Sequence, residues 1–181
     1  MAILIKNRHI AADSWQLLEG DLGRWTAVGE DGLVPDFPAW ADLIVPLALW
    51  RARRDDLLAR EGRTGVWLAP DEDPAVLARD RARIELVAVQ FPKFSDGRGF
   101  SIARLLRSRY GFAGELRAIG DVGRDQLLAM ERCGFDAFGL RPGEDAERAL
   151  RAFRELTEAY QGTVTGPLPL FRRRLAAEIA R

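Results

Sequence analysis

Charged side chains follow apolar runs at three places in the chain: FPKFSDGRG at 91–99, GDVGRD at 120–125, and Arg141-Pro142 after the run that ends at Leu140. These segments supply Lys93, Asp96, Arg98, Asp121, Arg124 and Arg141. Cations gathered at one place would hold an anion, and the glycines among them let backbone N–H groups approach a ligand. Lys93 and Asp96 are the candidates for moving a proton. The same residues also have a purely structural reading. Asp96 before Gly-Arg-Gly makes a turn and caps a helix, Asp121 caps the next helix, and Arg98 struts across to Asp121 or Asp125. Position, rather than a specific motif, selects these residues, so both readings stand at this point.

The elements that would position them are short apolar strands alternating with helices. Strand signals fall at 43–47, 65–69, 85–91, 115–120 and 136–140. The run ELVAVQF at 85–91 is continuous and β-branched, as in a strand buried on both faces. Helices are predicted around 50–60, from Asp73-Pro74 to about Arg83, over 99–110, over 123–133 and over 145–160. Gly111-Phe112 and Gly134-Phe135 each give a glycine C′ followed by an apolar residue, the punctuation of a helix end. This alternation predicts a single α/β domain of repeated βα units with right-handed crossovers and a mainly parallel sheet. Five such strands are too few for a complete eight-stranded barrel, which leaves an open sheet or an incomplete TIM-type barrel. In either, ligands bind beyond the carboxyl ends of the strands, where the charged segments lie.

The flanks differ from the core at 41–160. Residues 2–5 and 14–18 suggest a short β-ribbon or hairpin, and 19–40 is a glycine- and proline-rich arm. All five tryptophans lie within the first 67 residues. Trp50 and Trp67 are expected in the core. Trp25 and Trp40, in the arm, are weighed equally as packing residues and as contacts in a homo-oligomer. The tail at 161–181 carries Arg172, Arg173 and Arg174 on a short helix.

Composition excludes several classes. Lys plus Arg (27) equals Asp plus Glu (27), so the basic excess of a nucleic-acid binder is missing. The one cysteine, Cys133, rules out an intrachain disulfide framework and fits a reducing, cytoplasmic compartment. Cys133 falls on the apolar side of a helix end and is expected to pack rather than react. With a single histidine, His9, the chain has no His/Cys metal set, nor four thiolates for an iron–sulfur cluster. MAILIKNRHI is too short in apolar residues for a secretory leader, and no run approaches the roughly 18 apolar residues of a membrane span. Gly97-Arg98-Gly99 begins like a dinucleotide fingerprint, but position 102 is isoleucine; no Walker A sequence occurs. No cofactor is expected.

From Phe91 to Phe138, and most specifically in DGRG, GELRAIGDV, RDQ and GFDAF, the sequence resembles the bacterial domain-of-unknown-function 934 family. Members of that family are labelled oxidoreductases of sulfite reduction and are typically encoded beside assimilatory sulfite reductase genes. The resemblance implies a role in sulfur assimilation and transfers no catalytic residue. Because the chain carries no electron-carrying motif, the expectation is an accessory protein of assimilatory sulfite reduction. It would bind a small anion such as sulfite, or the reductase or another sulfur-assimilation protein, through Lys93, Asp96, Arg98, Asp121, Arg124 and Arg141. The competing expectations are a βα-barrel-type enzyme acting on an anionic metabolite, with Lys93 or Asp96 as acid/base, and a structural homo-oligomer.

Overall fold

Residues 3–20, 23–27, 35–156 and 160–179 are described in the computed structural model. Among them, eight strands form one sheet: β1 (Leu4–Lys6), β2 (His9–Ala11), β3 (Gln16–Leu17), β4 (Leu43–Pro46), β5 (Thr64–Leu68), β6 (Leu86–Phe91), β7 (Glu115–Gly120) and β8 (Ala137–Gly139). Their order is β2-β1-β8-β7-β6-β5-β4-β3. Strands β3 to β8 run parallel, and the β1–β2 hairpin adds antiparallel to β8. The expected parallel α/β sheet is present, with the three segments from Glu85, Glu115 and Asp136 as adjacent strands.

The sheet is a curled open half-barrel, and the chain path requires the curl. Residues 12–15 alone join β2 at one edge to β3 at the other. Five Cα steps reach about 17 Å, whereas eight flat strands would separate their edges by about 33 Å. The crossing segment therefore lies over the concave side, where Asp13 bonds Arg117 of β7 at 2.8 Å and Trp15 packs near Ile44, Leu86, Ala88, Trp67 and Ile119. Helices cover the convex side: α2 (Leu47–Ala59), α3 (Arg98–Ser108), α4 (Leu127–Cys133) and α5 (Ala146–Ala152) bury Trp50, Ile102, Leu106, Met130 and Ala149 against Val87, Val89, Leu116 and Phe138. Strand β6 is buried on both faces, as its continuous apolar run requires.

Several local expectations need correction. The hairpin pairs β1 with β2 rather than 2–5 with 14–18, because Asn7 and Arg8 (φ 50° and 63°) make a tight left-handed turn. Residues Gln16–Leu17 pair parallel with Leu43 and Ile44 at the far edge instead. The helix expected from Asp73 to Arg83 is only a 3₁₀ turn, Pro74–Leu77, followed by further i→i+3 turns. Asp80 is 6% exposed there, its carboxylate gripped by Arg54 of α2, which fixes the backbone by a tertiary contact. Helix α5 ends at Ala152, well short of 160. In the arm, α1 (Gly23–Thr26) buries Trp25, which stacks on Phe37 with centroids 5.0 Å apart. That makes Trp25 a packing residue of its own chain, while Trp40 is 77% exposed. Residues 21–22 and 28–34 of the arm lie outside the described residues. The tail docks by the Val164 N–H to the Arg132 carbonyl and ends in α6 (Leu170–Ile179).

Candidate functional site

The carboxyl ends of β6, β7 and β8 leave the sheet side by side. Phe91 is paired with Gly120, and the Asp121 N–H donates to the Phe91 carbonyl at 2.7 Å. That close approach requires Gly120, whose φ is +96° and whose Cβ would stand 2.4 Å from the Phe91 oxygen. On the next strand, the Arg141 N–H donates to the Val122 carbonyl at 3.1 Å. The three outgoing segments thus share one rim, as the parallel register predicts.

On that rim the loop at 92–97 is held from several sides. The Phe94 N–H donates to Asp121 Oδ2 at 2.9 Å, and Gln126 Nε2 donates to the Phe94 carbonyl at 3.2 Å. Gln126 is 7% exposed and its other amide atom accepts from the Gly123 N–H at 3.1 Å. Asp96 closes the loop as a turn residue: it accepts from the Arg98 N–H (3.1 Å) and from the Arg98 guanidinium (3.0 and 2.7 Å). With its backbone tied on both sides, Phe94 still leaves its side chain outside, 52% exposed.

The cations are mostly spoken for. Arg98 pairs with Asp96, not with Asp121 or Asp125. Arg141 pairs with Asp121 at 3.1 Å and with Glu144 at 2.8 Å, and these two carboxylates hold it more firmly protonated than a free arginine. Arg124 turns away toward α5, donating to the Arg148 carbonyl at 3.2 Å and meeting Glu155 just beyond the helix end. Lys93 is exposed, and no hydrogen bond or ion pair holds its ammonium among the described residues. Asp96 has its carboxyl held below the ordinary carboxylate range, chiefly by the Arg98 guanidinium. A carboxylate so stabilised is a weak proton acceptor. The rim therefore brings Lys93, Asp96, Arg98, Asp121 and Arg141 to one edge, without Arg124, and as paired charges rather than an open cationic bowl.

Residues that sequence reasoning passed over complete the picture. Gln126 and Phe94 shape the loop, and Glu144 and Glu155 neutralise arginines from 3 and 31 residues away. Gln126 had a signal: it stands three residues after the N-cap Gly123 and ahead of an apolar run, the place of a capping-box glutamine. Beside the rim, a 290 Å³ cavity opens at the ends of β4 and β5, lined by Glu19, Pro46, Ala48, Trp67 and Glu72 among others. Its charged groups are both carboxylates, which suits no anion. Cys133 is partly buried and packs against the core, and burial pushes its thiol pKa up.

No helix among the described residues is long and apolar enough to cross a membrane. No curated protein and no solved structure matches the chain. One family model does, over residues 65–171, from β5 through the rim and into the first residues of α6. That match takes in more than half of the chain and every rim residue described above, and the chain accordingly belongs to the family of bacterial proteins of unknown function designated DUF934.

Proposed function

We propose that the chain is a cytoplasmic accessory protein of assimilatory sulfite reduction that docks on a protein partner, the reductase or another sulfur-assimilation protein, through the rim of β6–β8. The observation that carries the docking mode is Phe94. Its backbone is bonded to Asp121 and Gln126 while the residue stays 52% exposed beside the unpaired Lys93. A rigid loop presenting an aromatic side chain loses little entropy on binding, and buried aromatics anchor interfaces. Pairing of Arg98 and Arg141 within the chain argues against a small-anion bowl at the same place. The pathway comes from the family resemblance, and the single histidine and cysteine favour a helper over an electron carrier.

The test is growth of a deletion strain on sulfate or cysteine as sole sulfur source, complemented with wild type or Phe94→Ala. Wild type should restore growth on sulfate, and Phe94→Ala should not, with all strains equal on cysteine. Normal growth of the uncomplemented deletion on sulfate would remove the sulfur role. Full complementation by Phe94→Ala would remove the rim.

A further inference from the structure

We propose that a second site, at the opposite end of the sheet from the rim, binds a small oxyanion of the sulfate or phosphate class. Strand β1 runs antiparallel to β8, so the turn that follows it lies at the end where the parallel strands begin. Between that turn and the C-terminal end of α5 is a 390 Å³ cavity whose polar lining is Asn7, Arg8, His9, Glu147, Arg151 and Arg154. Three arginines and a histidine thus line the cavity with one glutamate, and a second carboxylate, Glu131, is already paired with Arg8.

Two of the three cavity arginines differ in pairing from those at the rim. Arg98, Arg124 and Arg141 all have carboxylate partners. Arg151 and Arg154 are exposed and have none among the described residues. Arg8 is fixed in place: its Nε and Nη2 each donate to Glu131 at 2.8 Å, and its guanidinium lies 5.6 Å from the centre of the Phe153 ring. It also occupies a left-handed position (φ 63°) where a two-residue hairpin turn prefers glycine. Its charge is balanced by Glu131, so Arg8 forms a fixed wall and Arg151 and Arg154 are the cations left for a ligand. His9 is anchored beside it, with Nδ1 2.7 Å from the Asn7 carbonyl. Arginines at a helix C-terminus also complement the helix dipole, but that role needs no cavity and no strained Arg8 opposite. Guanidinium forks match tetrahedral oxyanions bidentately, and an anion here would relieve the mutual repulsion of Arg151 and Arg154.

Titration of the full chain at low ionic strength with sodium sulfate and, separately, sodium pyrophosphate tests the site, read by calorimetry and by amide NMR shifts. At least one anion should bind saturably, shifting Asn7, His9, Arg151 and Arg154. Sulfate binding identifies a single free oxyanion as sufficient, whereas binding of pyrophosphate alone identifies a phosphorylated compound. The Arg151→Ala/Arg154→Ala variant should weaken binding by about tenfold or more with unchanged circular dichroism and melting. Lysine at both positions should restore only part of the affinity, and Arg98→Ala at the rim should change nothing. The proposal is overturned if neither anion saturates, if the double alanine or double lysine variant binds as wild type does, or if Arg98→Ala removes binding.

Discussion

Replacing Asp121 by alanine should loosen the Phe94 loop while leaving the sheet intact. Asp121 Oδ2 accepts from the Phe94 N–H at 2.9 Å and Oδ1 accepts from Arg141 at 3.1 Å. Its side chain is 34% exposed, so water replaces part of what is lost. A hydrogen bond to a charged group contributes about 1.5–3 kcal/mol, and exposure puts this one near the lower figure, about 1.5 kcal/mol. That corresponds to about a tenfold rise in the population of open loop. Hydrogen exchange at the Phe94 amide reads it directly, because the bond to Asp121 is the one that protects that N–H. Exchange at β6 amides such as Val87 and Val89 should stay unchanged, since they belong to the sheet ladder. Asp121→Asn should fall between: its carbonyl can still accept one bond, but its NH₂ then faces a donor. An unchanged Phe94 exchange rate in a folded Asp121→Ala protein would refute the reasoning.

Two other outcomes follow from individual residues. Arg63 and Ser14 hold the Asp42 carboxyl at about 2, down from 3.8, chiefly through the Arg63 side chain. A carboxylate depressed on folding contributes stability that is complete above about pH 4 and lost as pH falls toward 2. The full shift corresponds to about 2.4 kcal/mol, which screening at Arg63, 45% exposed, reduces to about 1 kcal/mol. Urea unfolding at pH 5 and pH 2.5 should show wild type losing about that much more stability than Asp42→Asn; equal losses would dismiss the pair. Gly120→Ala should destabilise by about 2 kcal/mol or more, since a Cβ there meets the Phe91 oxygen at 2.4 Å and φ is +96°. An unfolding midpoint within error of wild type would show the crossing at Gly120 to be less tight than the structure has it.

What the sequence disclosed depended on how local the deciding physics is. Strand β6 was readable because two buried faces demand an unbroken apolar run, and the ends of α3 and α4 because Gly111 and Gly134 turn left-handed (φ 64° and 110°). The common rim followed from parallel strands alone. The destination of the first strands was not readable. Residues 14–18 have the same strand character in either place, and only the curl of the whole sheet lets Gln16–Leu17 reach the β4 edge. The failed helix after Asp73 has good local signals, including the cap from Asp73 to the Ala75 N–H at 2.9 Å, but Arg54 decides the conformation at Asp80 from 26 residues away. Charge pairing was least visible of all. That Arg124 meets Glu155 and that Arg98 takes Asp96 depends on side-chain reach after folding, which spacing does not encode.

Retention of sulfite reductase by an affinity-tagged chain tests the docking claim most directly. The wild-type protein should hold the reductase, and Phe94→Ala, folded as judged by circular dichroism, should hold about a tenth as much or less. Equal retention by both, or none by wild type under conditions that preserve the complex, would contradict the account.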